Sequence, residues 1–346
     1  MTADNVLYDA QVDRSYITGR NVAVLGYGSQ GHAHALNLRD SGVQVTVGLP
    51  LGSSSREKAR QAGLRVYTPE AAAFEADVIV FLTPDPAQPR VFQEAVAPNL
   101  APGDALIFSH GFNIRYGWIV PPSNVDVGLI APKGPGHLVR TAYENGAGVP
   151  CLVGVEQDYT GGATKLVQAY AAAIGAGRAG IFPTTFTIET ETDLFGEQVP
   201  LCGGLISLVF TSFEVLTEEG YPAEAAYFEC IHELKLIVDL IYEHGVSGML
   251  HSISTTAKWG ALTVGPTLFG DDFKERLRAV VLANIRNGSF AEEWRQENEG
   301  GLVNLRRLLD EVAQHPAELI GAGLRDHMPF LPRNRSLASV AGGSVS

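Results

Sequence analysis

Residues 21–40 read NVAVLGYGSQGHAHALNLRD. The apolar run Asn21–Leu25 predicts a short buried strand, and Ala33–Asp40 predicts the helix after it. Between them, Gly26-Tyr27-Gly28-Ser29-Gln30-Gly31 fits the spacing G-x-G-x-x-G. Glycine is common here, 38 of 346 residues, so the spacing alone decides little. Its setting gives it meaning. Between a strand and a helix, such glycines permit a tight turn and let backbone N–H groups approach a pyrophosphate at the helix N-terminus.

Outward from this loop, Val43–Val47, Ala76–Leu82, Ala105–Phe108 and Asp126–Ile130 read as further short buried strands. Ser54–Ala62 and Val91–Val96 read as helices between them. Continuous rather than alternating hydrophobicity in strands separated by helices predicts an α/β domain, its parallel sheet covered on both faces. The pattern changes near Ile181–Phe182. Beyond it the helical stretches Val199–Glu218, Pro222–Glu243, Asp271–Asn287 and Phe290–Glu297 predict an all-α domain. We therefore divide the chain into residues 1–183, 184–330 and a loose polar tail, 331–346. Leu234, Ile237, Val238, Ile241 and Val246 make a wide apolar face that needs burial against other helices.

Composition narrows the function. A net charge of −13 without a Lys/Arg run argues against nucleic acid and anionic membranes as partners. No uninterrupted apolar stretch of membrane-spanning length is evident. Cys151, Cys202 and Cys230 are too few and scattered for a disulfide framework or a thiolate zinc site, which fits a reducing, cytoplasmic setting.

The end of the second strand bears on the choice between NAD and NADP. An acid there would accept from a ribose 2′-OH, but Gly48-Leu49-Pro50-Leu51-Gly52-Ser53-Ser54-Ser55-Arg56 contains none. Its three serines and Arg56 are potential donors to a 2′-phosphate, which favours NADPH. Two acid pairs stand four residues apart: Asp193 with Glu197, and Glu229 with Glu233. On a helix each pair shares one face, where like charges repel unless a cation compensates. Such carboxylates are hard oxygen ligands suited to one or two Mg²⁺ ions, although solvated acid pairs also arise at this spacing.

Seven segments, in order, make the chain resemble the class I, short-form ketol-acid reductoisomerases: VAVLGYGSQGHAHALNLRDSG, LTPDPAQ, SHGFNI, APKGPGH, ETETDLFGEQVPLCGG, AYFECIHELKLIVDLIYE and SIS at 252–254. The resemblance implies a Rossmann-type N-terminal domain, a knotted all-α C-terminal domain and an interlocked homodimer. It implies NADPH lined by Tyr27–Gln30, Ser53, Ser55, Asp85, Gln88 and Gly136. It also implies a catalytic His110, with Lys133 in the matching APKGPGH segment. Two Mg²⁺ would be held by Asp193, Glu197, Glu229 and Glu233, with the second pair from the partner subunit. Ser254 would contact the carboxylate of a 2-hydroxy-2-acyl acid substrate.

The chain departs from the family pattern at Pro50, Arg115, Thr255, Lys258, Ala261 and Thr267. These departures leave three readings open: the branched-chain amino acid enzyme, the same reaction on a modified substrate, or a non-catalytic NADPH-binding scaffold.

Overall fold

The computed structural model describes residues 5–328; the expected tail at 331–346 lies outside them. One sheet contains β1 (Asn21–Leu25), β2 (Gln44–Gly48), β3 (Arg65–Tyr67), β4 (Val78–Phe81), β5 (Ala105–Phe108), β6 (Asp126–Pro132), β7 (Cys151–Gln157) and β8 (Ile181–Pro183). Their order is β3-β2-β1-β4-β5-β6-β7-β8, and only the β6–β7 pair is antiparallel. Strand order reverses between β1 and β4. In open parallel sheets, ligands bind at the carboxyl ends of strands at such a switch point.

The first unit's helices are α1 (Ser29–Asp40), α2 (Ser55–Gln61), α3 (Pro69–Phe74), α4 (Gln88–Val91), α5 (Phe112–Arg115), α6 (Gly136–Glu144) and α7 (Ala163–Ala173). Alternate β1 side chains enter different cores. Val22 and Val24 join Leu36, Leu38 and Tyr170 on one face, while Ala23 and Leu25 join Ala72, Ala73 and Phe92 on the other. Burying a Val or Leu side chain contributes about 1.5–3 kcal/mol, so both helical layers are needed to hold the sheet. Arg140 of α6 fixes that helix to α1 through Asn37 Oδ1 and Asp40 Oδ2, both at 2.8 Å.

Helix α8 (Phe186–Gly196) leads out of the sheet domain. The compact units divide between Thr192 and Asp193 rather than at 183. The first turns of α8 explain the difference, because Phe186, Glu189 and Thr190 are buried. The sequence also did not mark β3, β7 or β8. Two of these have three residues, and β7 ends in the polar pair Glu156–Gln157.

The second unit contains α9 (Gly203–Glu218), α10 (Ala223–Tyr227), α11 (Leu234–Ser252), α12 (Thr255–Leu268), α13 (Asp271–Arg276), α14 (Ala283–Arg286), α15 (Ser289–Glu299), α16 (Val303–Ala313) and α17 (Pro316–Asp326). Among the described residues no strand follows Pro183. Gly245, at φ 71° and ψ 171°, kinks α11 just beyond the helix end expected at Glu243. The unit's core cluster of Phe213, Ala226, Tyr227 and Ala317 is small. The apolar face expected to be buried is not: Val238, Ile241 and Val246 are exposed, as are Tyr242 (91%) and Trp259 (73%). Within Phe186–Glu218 one 18-residue window reaches a mean hydropathy of 1.8, so by length and composition alone this run could cross a membrane. It is not an uninterrupted apolar stretch, since Glu189, Glu191, Asp193, Glu197, Pro200 and Glu214 break it.

Helices α1 and α6 meet where Gly136 leaves no room for a side chain, since a Cβ there would lie 2.1 Å from Ser29 O. Gly136→Ala should therefore destabilise the protein by about 1–3 kcal/mol. Urea unfolding checks this; an unchanged midpoint would contradict so close a backbone contact.

Candidate active site

The site is built where β1, β4, β5 and β6 end. Gly26 turns the chain with φ at 108°, and a Cβ on it would lie 2.5 Å from Leu82 O beyond β4. Gly28 caps α1, and Gly31 packs against Gly26 O, where a Cβ would stand 2.4 Å away. Gln30 Nε2 donates to Gly134 O at 2.9 Å, which draws Ser29, Gln30 and Gly136 together. The side-chain atoms Tyr27 Oη, Gln30 Oε1, Thr83 Oγ1 and Ser109 Oγ are buried with no hydrogen-bond partner among the described residues. An unsatisfied buried polar group costs about 1–3 kcal/mol. Four of them beside a glycine cradle suit a polar, extended ligand such as a dinucleotide.

At the edge of this crevice, Ser53 Oγ accepts from the Ser55 N–H at 3.3 Å. Arg56, a potential 2′-phosphate donor on sequence grounds, has its guanidinium engaged by the main chain. Its Nη1 donates to the carbonyls of Leu49 and, at 2.9 Å, Tyr67. Asp85 and Gln88 form a second small network. Gln88 Nε2 donates to Thr83 O and Asp85 Oδ1, and Asn113 Nδ2 donates to Asp85 O and Gln88 Oε1.

The densest charge cluster surrounds Glu189 on α8, whose side chain is 1% exposed. It accepts from the Gly111 N–H at 3.0 Å and from Lys133 Nζ at 2.9 Å, and His110 Nδ1 stands 3.2 Å away. Burial works to raise its pKa, but the contacts with His110 and Lys133 prevail and hold the carboxyl below its usual range. The close approach needs Gly111, because a Cβ there would sit 2.3 Å from Thr190 Oγ1. The sequence reading brought His110 and Lys133 into the site but missed Glu189 as their common partner. The available signal is its spacing, one turn before Asp193 as Asp193 is before Glu197. Nearby, Arg115 pairs with Glu191 at 2.9 Å.

The other acids sit on unusual backbone. Glu197 opens a π-helical segment, Glu197–Leu201, and Glu229 lies in another, Phe228–His232, with Glu233 just after it. A π turn bonds i→i+5, so these pairs do not repeat the ideal α-helical face assumed from spacing. Isolated π turns of this kind are frequent at functional sites. Ser254 caps α12, its Oγ accepting from the Ala257 N–H at 3.1 Å.

If Glu189 and Lys133 act as a unit, Glu189→Gln and Lys133→Met should be strongly non-additive. A double-mutant cycle in urea should give a coupling of about 1–3 kcal/mol. Simple additivity would show that the pair is incidental.

Comparison with known proteins agrees with this architecture. Residues 16–180 match the family model for the acetohydroxy acid isomeroreductase NADPH-binding domain, and residues 186–330 match the ketol-acid reductoisomerase C-terminal domain. The ketol-acid reductoisomerase (NADP(+)) of Saccharopolyspora erythraea is 56% identical over 96% of this chain and 99% of its own length. That of Kineococcus radiotolerans is 55% identical over 96% of both. A solved NADH-preferring ketol-acid reductoisomerase from an uncultured archean superposes with a TM-score of 0.89 at 44% identity, covering 93% of this chain and 98% of that one. Sequence, fold and site converge: the chain belongs to the ketol-acid reductoisomerase family.

Proposed function

We propose that the active site of this enzyme is shared between two copies of the chain and holds two Mg²⁺ ions. Asp193 and Glu197 come from one subunit, and Glu229, Glu233 and Ser254 from the other. The family's NADP-dependent reaction moves an alkyl group within a 2-hydroxy-2-acyl acid and reduces the resulting 2-keto group, giving a 2,3-dihydroxy acid in branched-chain amino acid biosynthesis. Within it, 2-acetolactate and 2-aceto-2-hydroxybutyrate are the substrates we assign. The observation that carries the reading is the Glu189 cluster: the Lys133 ammonium and the His110 ring held at the carboxyl edge of the sheet, with Asp193 one helical turn further on.

When bound, NADPH supplies the hydride and Mg²⁺ supplies Lewis-acid polarisation of the substrate oxygens. The four carboxylates fit that ion as hard oxygen donors. The chain's own residues do the positioning. Gly26–Gly31 and Gly136 bind the pyrophosphate, Ser53 and Ser55 the adenosine 2′-phosphate, and Asp85 and Gln88 the rim of the crevice. Ionised Glu189 stabilises the cation on Lys133 and orients the His110 ring, so that a proton is held at Lys133 Nζ beside the substrate oxygens. Ser254 Oγ donates to the substrate carboxylate. The exposed apolar faces of α9, α11 and α12 support a shared site, since a second copy would cover them. A buried Cys151, whose thiol burial pushes up in pKa, fits the reducing cytoplasm.

Two measurements test this. Glu229→Gln keeps the shape and removes a charge, so turnover should fall by orders of magnitude and recover partly at high Mg²⁺, with NADPH binding retained. Near-normal turnover at limiting Mg²⁺ would remove Glu229 from the site. Separately, inactive Asp193→Ala and Glu229→Ala subunits, refolded together, should regain activity, because one site of the mixed dimer recovers all four acids. Confirmed heterodimers without activity would place the site within one chain.

A further inference from the structure

One departure from the family pattern is built into the fold. Arg115 ends α5, one turn after Gly111, and its main-chain N–H donates to Gly111 O at 2.8 Å. Its Nη2 donates to Glu191 Oε1 on α8 at 2.9 Å. The two side chains are 25% and 15% exposed, so water screens this pair less than it would a surface pair. The guanidinium carbon lies 5.3 Å from the centre of the Tyr116 ring. Tyr116 meets Phe112 edge to face at 4.9 Å, and the Phe112 ring lies 6.1 Å from that of His110. Arg115 and His110 thus share one short segment packed by aromatic rings.

That segment holds α8 from two directions. Before α5, the Gly111 N–H and the His110 ring contact Glu189; at its end, Arg115 takes Glu191. At 3.6 residues per turn, positions two apart stand about 200° apart around a helix. Glu189 and Glu191 therefore leave α8 on nearly opposite sides, and Asp193, two residues further, returns to the side of Glu189. A helix held on one side can roll about its axis, and a second hold across the axis removes that freedom. With side chains reaching about 5–6 Å from the axis, a roll of about 20° moves a carboxylate by about 2 Å. Metal–ligand distances tolerate only about 0.2 Å.

We infer that Arg115 and Glu191 are a positioning pair that fixes the roll of α8 and so aims the Asp193 carboxylate at the ion. The inference rests on the proposed reading of Asp193 as a Mg²⁺ ligand. Neither member of the pair touches the ion or the substrate in this assignment. Removing either should weaken ion binding about tenfold, as loss of a partner that orients a ligand does. It should also lower kcat. The Kd for NADPH should stay within about twofold, because the glycine contacts that form its cradle lie on other elements.

The test is Mn²⁺ binding to the full chain without substrate, read from the electron paramagnetic resonance of free Mn²⁺ at fixed pH. A positioning pair predicts that Arg115→Gln and Glu191→Gln each raise the Kd about tenfold, and that the double variant is no worse than either. Glu191→Asp keeps both charges but shortens the reach, and should raise the Kd about threefold. This milder change decides the matter if a charge-removing variant does not fold. Charge alone predicts the reverse for Arg115, since removing a cation beside the site would tighten Mn²⁺. Tighter binding in Arg115→Gln would therefore overturn the inference, as would unmodified affinity in Arg115→Gln, Glu191→Gln and Glu191→Asp. Asp193→Ala separates this inference from the reading beneath it. If that variant too binds Mn²⁺ like the unmodified protein, Asp193 is not a ligand and the proposed reading fails together with the inference. If it loses Mn²⁺ while the pair variants bind normally, only the inference fails.

Discussion

A carboxylate buried to 1% exposure is the constraint on which the candidate site depends. Glu189 in isolation would be costly to bury as an anion. It is tolerated because a backbone N–H, an ammonium and an imidazole converge on it from two loops at the end of the sheet. The same convergence fixes where those loops are. SHGFNI must come close enough for Gly111 to touch α8, and APKGPGH must bring Lys133 to the same carboxylate. One helical turn later α8 presents Asp193, the acid proposed as the first Mg²⁺ ligand, on the same helix as Glu189.

Close backbone packing does comparable work on the cofactor side. Gly26 against Leu82, Gly31 against Gly26 and Gly136 against Ser29 are contacts that any Cβ would break. They draw the ends of β1 and β4 and the starts of α1 and α6 into one cradle, whose orphaned hydroxyl, phenol and amide oxygens a dinucleotide can satisfy. Arg56 braces this framework too, through its bonds to the carbonyls of Leu49, Val66 and Tyr67.

Much of this was legible in the sequence. NVAVL-GYGSQG identified the first strand, the turn and the helix, because hydrophobic continuity and glycine spacing are local properties. His110, Lys133, Asp193, Glu197, Glu229 and Glu233 are assigned to the proposed site through the family resemblance more than through spacing. Glu189 was not legible, because its importance lies in burial against partners 56 and 78 residues away in the chain. Arg56 misled for a similar reason: its type suits phosphate, yet its donors had been taken by carbonyls that no local pattern reveals. The π turns at Glu197 and Glu229 were equally hidden, since composition does not distinguish them from α-helix. The short strands β3 and β8 are held by neighbours in the sheet rather than by their own propensity.

The helical unit shows the limit of reading one chain. Its apolar periodicity called for burial, but Val238, Ile241 and Val246 are exposed in the single chain. In the proposed shared site, a second copy covers that surface and brings a second pair of acids to the first. The central claim is thus a two-ion site completed by two chains. Electron paramagnetic resonance of the protein loaded with Mn²⁺ in place of Mg²⁺ tests it most directly. The account predicts two ions per chain with coupled spins, the coupling being lost in Asp193→Ala and in Glu229→Gln alike. One ion per chain, or the spectrum of isolated Mn²⁺ in the unmodified protein, would contradict it.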